Sequence, residues 1–387
     1  MQGSPRVGEG MELGWRSRRW RAIGSCLMKR GSGWGGGRSL GRTVALAIRM
    51  RHCVRFFALA LFRDFGESSV LPHSNYMNMN GELPVRSVLD ALHGLVMLTE
   101  EEVALIDQPL FQRLRGIRQN GLLHLVFPSA THSRLEHSIG VLYLANAMID
   151  ALLMNSRVAS SKVGPRALPF LNAVGGQAID LSKEADDDLR KFRRVVRLAA
   201  LAHDLGHGPL SHAFDSFAPT GESLSLWLED PRLAPLNELR DDIWAKFAEE
   251  HKLASTTPEA LAERSVPHEI MSCVFLCVVW DAALQEGASV GADTEVLADV
   301  ASAILGVSLT AEERSDWGKK WLPLAHDLIA SAPADADRMD YLERDSRSIG
   351  VSYGLYDRNR LLKSMLAYRD RQHGIALRLG IITWASI

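Results

Sequence analysis

Residues 189–212 read LRKFRRVVRLAALAHDLGHGPLSH, and the fold turns on this stretch. Its first part has the pattern of a helix that stops at Gly206 or Gly208. The helix ends in His203 and Asp204. His207 and His212 follow, set around Gly206, Gly208 and Pro209. Titratable groups concentrated at a tight turn mark a candidate functional site rather than a plain polar helix end. Metal ligands and acid/base groups both remain open from this segment alone.

Two other helices supply matching residues. SRLEHSIGVLYLANAMIDALLM, residues 133–154, opens with Ser133 and Glu136, the spacing of a capping box. Leu135, Ile139, Leu142, Ala145, Ile149 and Leu152 mark one apolar face, and His137 follows the capped turn. PADADRMDYLERDSRSIG, residues 333–350, predicts a helix with Asp335 as N-cap that ends near Gly350, with Asp337 in its first turn. His137, His203, Asp204 and Asp337 therefore all fall on predicted helices. Two imidazoles and two carboxylates suit a borderline or hard divalent ion, with positions left for water and a phosphate oxygen.

From about residue 84 the chain reads as mostly helical. TEEEVALIDQPLFQRLRGIRQNG, residues 99–121, starts at Thr99 as N-cap with acids in the first turn, and Pro109 divides it. Residues 155–190 are expected as an irregular excursion, and 216–265 as a variable, partly helical insertion. HEIMSCVFLCVVWDAAL, residues 268–284, predicts a buried helix. The fold class expected is all-α, with minor short strands.

The composition is that of a globular protein: 387 residues, 47% hydrophobic and 23% charged, with a net charge of −2. That charge argues against a general nucleic-acid or membrane-surface role, but residues 1–63 carry 13 Lys and Arg against two acids. Residues 1–78 are read as a basic, disordered extension ahead of a domain at 79–387. Three origins stand for it: an organellar transit peptide, a nucleic-acid-binding arm, or, preferred, an upstream extension with the working start at Met77 or Met79. Four cysteines are too few for a disulfide scaffold, and Cys273 and Cys277 fit buried thiols. No run approaches the ~18–20 uninterrupted apolar residues of a membrane span, and a cytoplasmic location is expected, organellar if the arm is a transit peptide.

The segments ATHSRLEHSIGV, LAHDLGHGPLSHAFD and DADRMDYLERDSRSIGV, in this order and preceded by LIDQPLFQRLRGIRQNG, resemble the HD-domain metal-dependent phosphohydrolases, in particular their deoxynucleoside triphosphate triphosphohydrolase branch. The resemblance covers roughly residues 84–380 outside the two excursions. It implies His137, His203, Asp204 and Asp337 as metal ligands, for Mn, Mg, Fe, Zn or Ni. It implies His207 and His212 as acid/base groups, Asp215 as the group orienting one of them, and His268 as a further active-site histidine. Arg134 and Arg338 correspond to phosphate contacts, Arg338 standing where the family usually has lysine. Tyr341 and Asp345 correspond to sugar contacts, and Gln119 to a contact with the 3′-hydroxyl. Positions 337, 341, 344 and 345 share one helical face and would present these groups to one pocket.

The implied reaction is hydrolysis of a dNTP to deoxynucleoside and triphosphate, and the implied assembly a homo-oligomer. Alternatives are another phosphoester substrate, such as a signalling nucleotide, or a non-catalytic nucleotide-binding relic. Asn120 stands where the vertebrate relatives carry an apolar residue that helps exclude ribonucleotides. The ending LRLGIITWASI stops before the helix that follows in the family, so a C-terminally shortened form is expected.

Overall fold

The described structure begins with a hairpin. Strands β1 (Arg86–Asp90) and β2 (Gly94–Leu98) pair antiparallel, with Arg86 opposite Leu98 and Asp90 opposite Gly94. Asp90 closes the turn by accepting the backbone N–H groups of Leu92 and His93, both at 2.9 Å. Helical territory therefore starts at residue 100 and not at 84. The structure is a computed structural model that describes residues 84–160, 177–288, 290, 295–312, 314–331, 334–369 and 374–381. The proposed N-terminal extension and its cysteines lie outside these residues, as do residues 382–387.

Helix α1 (Glu100–Ile106) has the expected cap at Thr99, reciprocated by Glu102, and the short α2 (Pro109–Gln112) begins at Pro109. The long helix α3 (Arg134–Ser160) is capped as its sequence predicts: the Glu136 N–H donates to Ser133 Oγ at 3.3 Å, and Glu136 accepts in return from the Ser133 N–H. All six residues of its predicted apolar face are buried. α3 packs along α4 (Asp186–Ala202), and its other side carries α11 (Ala336–Ile349). Asp335 caps α11, and Gly350 ends it in the left-handed conformation (φ 79°).

Three expectations need correction. Residues 155–190 are not one irregular excursion: α3 runs on to Ser160 and α4 starts at Asp186. Residues 216–265 are partly helical, as expected, but they are built into the core rather than being an insertion on it. They form α5 (Gly221–Trp227), a 3₁₀ run at Pro231–Leu239, α6 (Arg240–Glu250) and α7 (Pro258–Leu261), and place Leu224, Leu236, Ile243, Phe247 and Leu261 in the core. Finally, α4 ends at Ala202, with His203 as its cap residue. The helix stops there because the next carbonyls are taken from outside. Ser272 Oγ donates to the His203 carbonyl at 2.6 Å, and Arg113 donates to the carbonyls of Leu205 and His207.

Helices α8 (His268–Gln285), α9 (Glu295–Leu305), α10 (Asp316–Ala330) and α12 (Arg358–Ser364) complete the helical body. A small antiparallel sheet, ordered β3 (Gln177–Ala178), β4 (Met365–Arg369), β5 (Leu377–Ile381), accompanies them. The fold is mainly helical, as the sequence predicts. Cys273 and Cys277 are free and buried in α8. Within α3 and α8, two segments are long and apolar enough to cross a membrane, but 67% and 56% of their most apolar windows are buried inside this fold.

Candidate active site

Three helices bring the two-histidine, two-carboxylate group together. His137 comes from the first turn of α3, His203 and Asp204 from the end of α4, and Asp337 from the first turn of α11. His137 Nε2 lies 2.9 Å from Asp337 Oδ1 and 3.4 Å from Asp204 Oδ2. His203 Nε2 lies 3.6 Å from both Asp204 Oδ1 and Asp337 Oδ1. None of these contacts is a hydrogen bond: both Nε2 atoms are buried and without a hydrogen-bond partner.

The other ring nitrogens explain which atoms point inward. His203 Nδ1 sits 2.8 Å from the Ala200 carbonyl, which only accepts, so Nδ1 carries the hydrogen and Nε2 the lone pair. Lone pairs and carboxylate oxygens crowded at one point repel unless a cation sits among them. The electrostatics agree. Burial would depress the His137 imidazole, yet the carboxylates of Asp337, Asp340 and Asp204 outweigh it and push it up to about 10. His203 is raised in the same way, chiefly by Asp204 against burial. Burial also opposes ionisation of Asp204, but Arg134 and the neighbouring histidines hold it well below the usual carboxylate range. His137, His203 and Asp204 offer ligand atoms within 4.8 Å of one another. The residues present thus fit a divalent cation.

A second group borders the first. His207 Nε2 is 3.3 Å from Asp204 Oδ1. The His207 ring stacks on His268, with centroids 3.9 Å apart and planes 20° apart, and meets His212 edge-on at 4.7 Å. His207, His212, Asp215 and His268 also satisfy the distances of a metal cluster. Near-parallel rings, however, cannot both aim in-plane lone pairs at one ion, so proton transfer suits this group better. Burial pushes His207 and His268 down, each to about 4, although Asp204 opposes it. Both are neutral at neutral pH. His212 is the exposed member, with Nδ1 3.2 Å from Asp215 Oδ2.

The turn between these groups is built differently from its sequence pattern. Leu210 and Ser211, not the glycines, adopt positive φ (70° and 57°). Gly206 is needed for close approach: a Cβ there would stand 2.0 Å from the His268 carbonyl oxygen. Ser272 Oγ accepts from the Gly206 N–H at 2.8 Å, which ties the turn to α8.

The expected substrate contacts are placed unevenly. Arg134 is buried and paired with Asp204 and Ser211, while its Nε has no hydrogen-bond partner. Gln119 is buried nearby with an unpartnered Oε1. Asp345 accepts from His132 Nε2 at 2.8 Å and from Asn120 Nδ2 at 2.9 Å. Arg338 is 43% exposed and leans toward Asp335, and Tyr341 is partly buried beside it on α11. Arg344 does not join the predicted pocket face. It turns inward to Asp340 and Asp90, because two buried carboxylates require a cation. Sequence reasoning missed Ser211, Ser272, Arg113, Asp340 and His93; only structure brings them to the site.

Against known proteins, the chain is 34% identical over 185 residues to the deoxynucleoside triphosphate triphosphohydrolase SAMHD1 homolog of Dictyostelium discoideum. It is 28% identical over 286 residues to deoxynucleoside triphosphate triphosphohydrolase SAMHD1 of Danio rerio, and 36% identical over 147 residues to that of Homo sapiens. The chain is similar to HD-domain deoxynucleoside triphosphate triphosphohydrolases. The three alignments take in 47%, 72% and 38% of this chain but 31%, 36% and 19% of those proteins. It therefore matches about a third of the relatives' length or less. No protein-family model matches it.

Proposed function

We propose that the chain is a metal-dependent phosphohydrolase that converts dNTPs to deoxynucleoside and triphosphate. The observation that carries this reading is the convergence of His137, His203, Asp204 and Asp337, with two buried and unpartnered imidazole nitrogens, beside a group of three further histidines. Similarity to proteins named deoxynucleoside triphosphate triphosphohydrolases supports the substrate class. Mn, Mg, Fe, Zn or Ni held by these four residues would supply an acidified water and a polarised phosphoryl oxygen.

The chain's own groups do the remaining work. Arg134 keeps Asp204 ionised and has Nε left for a phosphate oxygen. Arg338, half-exposed at the start of α11, offsets further phosphate charge. Gln119, Tyr341 and Asp345 contact the sugar in this reading. His207 and His268 are neutral, so protonation of the leaving oxygen falls to His212, which Asp215 orients through Nδ1. A cytoplasmic location belongs to the proposal and accords with the free thiols of α8.

The test incubates the full chain with each dNTP and NTP in Mn²⁺ or Mg²⁺ and identifies the phosphate product. Triphosphate is expected, with turnover lost in Asp204→Ala and slowed about 10²–10⁴-fold in His212→Ala. Orthophosphate as sole product, or nucleotide binding without turnover, would sink the reading.

A further inference from the structure

Asp340 sits on α11, three residues beyond Asp337, and is fully buried. Its Oδ1 lies 2.6 Å from His93 Nε2 and 2.9 Å from Arg344 Nη2. Its Oδ2 lies 2.8 Å from His137 Nδ1 and 2.7 Å from Arg344 Nε. A carboxylate has about four lone-pair sites, and here every one faces a nitrogen. Gripped by both arms of a guanidinium, it accepts and does not donate. Both imidazole nitrogens that face it therefore carry hydrogens.

The proton count closes on its far side. His93 Nδ1 is 2.8 Å from Arg358 Nη1, and a guanidinium only donates. His93 thus accepts at Nδ1 and donates from Nε2. Tyr143 stacks on it at 4.8 Å, which holds its plane. Arg344 is fixed in turn by Asp90, 2.9 Å from Nη1. On the near side, His137 has its Nδ1–H engaged by Asp340. With an ion bound and the ring neutral, the lone pair would fall on Nε2, the atom 2.9 Å from Asp337 and 3.4 Å from Asp204.

We propose that Asp340 is the positioning residue of the metal centre, its carboxylate holding His137 in the Nδ1–H tautomer with Nε2 turned to the ion, while His93 and Arg344 hold the carboxylate. This rests on the reading of His137, His203, Asp204 and Asp337 as metal ligands. Asp340 does not itself touch the ion. It acts through the ring, as carboxylates behind metal-bound histidines generally do.

The experiment measures Mn²⁺ binding to the full chain by equilibrium dialysis. Asp340→Asn is expected to raise the dissociation constant about 10–100-fold. Asp90→Asn is the control: Asp90 shares Arg344 with Asp340 but touches no histidine ring, so its loss should leave the constant within about threefold. Equal weakening by both variants, or none by Asp340→Asn, overturns the proposal. Should Asp340→Asn not fold, nitrogen NMR of the wild-type imidazoles with Mg²⁺ bound decides. A protonated, deshielded Nδ1 on His137 is expected, and a protonated Nε2 overturns the idea. Asp204→Asn separates the two levels. If it binds Mn²⁺ like wild type, the ligand reading fails and the positioning role falls with it. If it loses Mn²⁺ while Asp340→Asn keeps it, only the positioning role fails.

Discussion

Cys273 and Cys277 show how environment sets reactivity at a single residue. Both lie inside α8 with almost no exposed surface. Burial pushes the Cys277 thiol up to about 12 and the Cys273 thiol well above its ordinary range, where Cys277 and Glu269 add to the effect. Neither forms appreciable thiolate at neutral pH. Peptide-level mass spectrometry after iodoacetamide at pH 8 should find both unlabelled in the native chain and labelled after denaturation; native labelling would contradict their placement. At this scale the site was legible where its chemistry is written in adjacent letters. His203 and Asp204 are neighbours, and His207 and His212 fall within the same ten residues. Asp340 was illegible because its partners are remote: His137 is 203 positions away and His93 is 247. No spacing rule connects them, and only packing of α11 against α3 and the hairpin does.

The crossing of α3 and α11 sets the geometry at the level of elements. Gly140 lies where the two helices meet. A Cβ there would stand 2.0 Å from Asp340 Oδ1 and 2.3 Å from Arg344 Nη2, both of them locked in place by other bonds. Gly140→Ala should destabilise the chain by about 1–3 kcal/mol, the usual cost of overpacking, although alanine favours helix on propensity alone. A lowered urea midpoint checks this; an unchanged or raised midpoint contradicts the contact. Helix starts were readable because caps are local chemistry: Thr99 with Glu102, Ser133 with Glu136, and Asp335 all cap as spaced. The end of α4 falls a few residues before the glycines because Ser272 and Arg113, from distant segments, bind the carbonyls that follow it. The hairpin at 86–98 was missed since its alternation is short and Leu89 and Leu95 both face solvent.

Across the whole molecule, the buried histidines make stability depend on acid. Burial lowers His207 and His268 to about 4, and it lowers His326 despite that ring's bond to the Ala303 carbonyl. In the unfolded chain each would titrate near 6.5. The unfolded state therefore binds more protons below that value, so their contribution is present above about 6.5 and lost as pH falls toward about 4. His137 and His203 are shifted the other way and contribute little further change below pH 6. A urea midpoint that drops between pH 6 and pH 4.5 is expected; a flat profile would count against these burials. The mainly helical plan was readable at this scale from three motifs in order. The role of residues 216–265 was not, because their apolar residues serve a core assembled mainly by other segments.

The saturated carboxylate of Asp340 also constrains how this sequence can change over time. Each of its four acceptor positions is filled, and two of its donors, His93 and Arg344, are themselves held by Arg358 and Asp90. Exchange of Asp340, His93, Arg344 or Asp90 alone strands a buried charge or an unpaired N–H. In descendants of this chain these four positions should stay as they are or be replaced as a set, which makes them a single unit of inheritance spread over 255 residues.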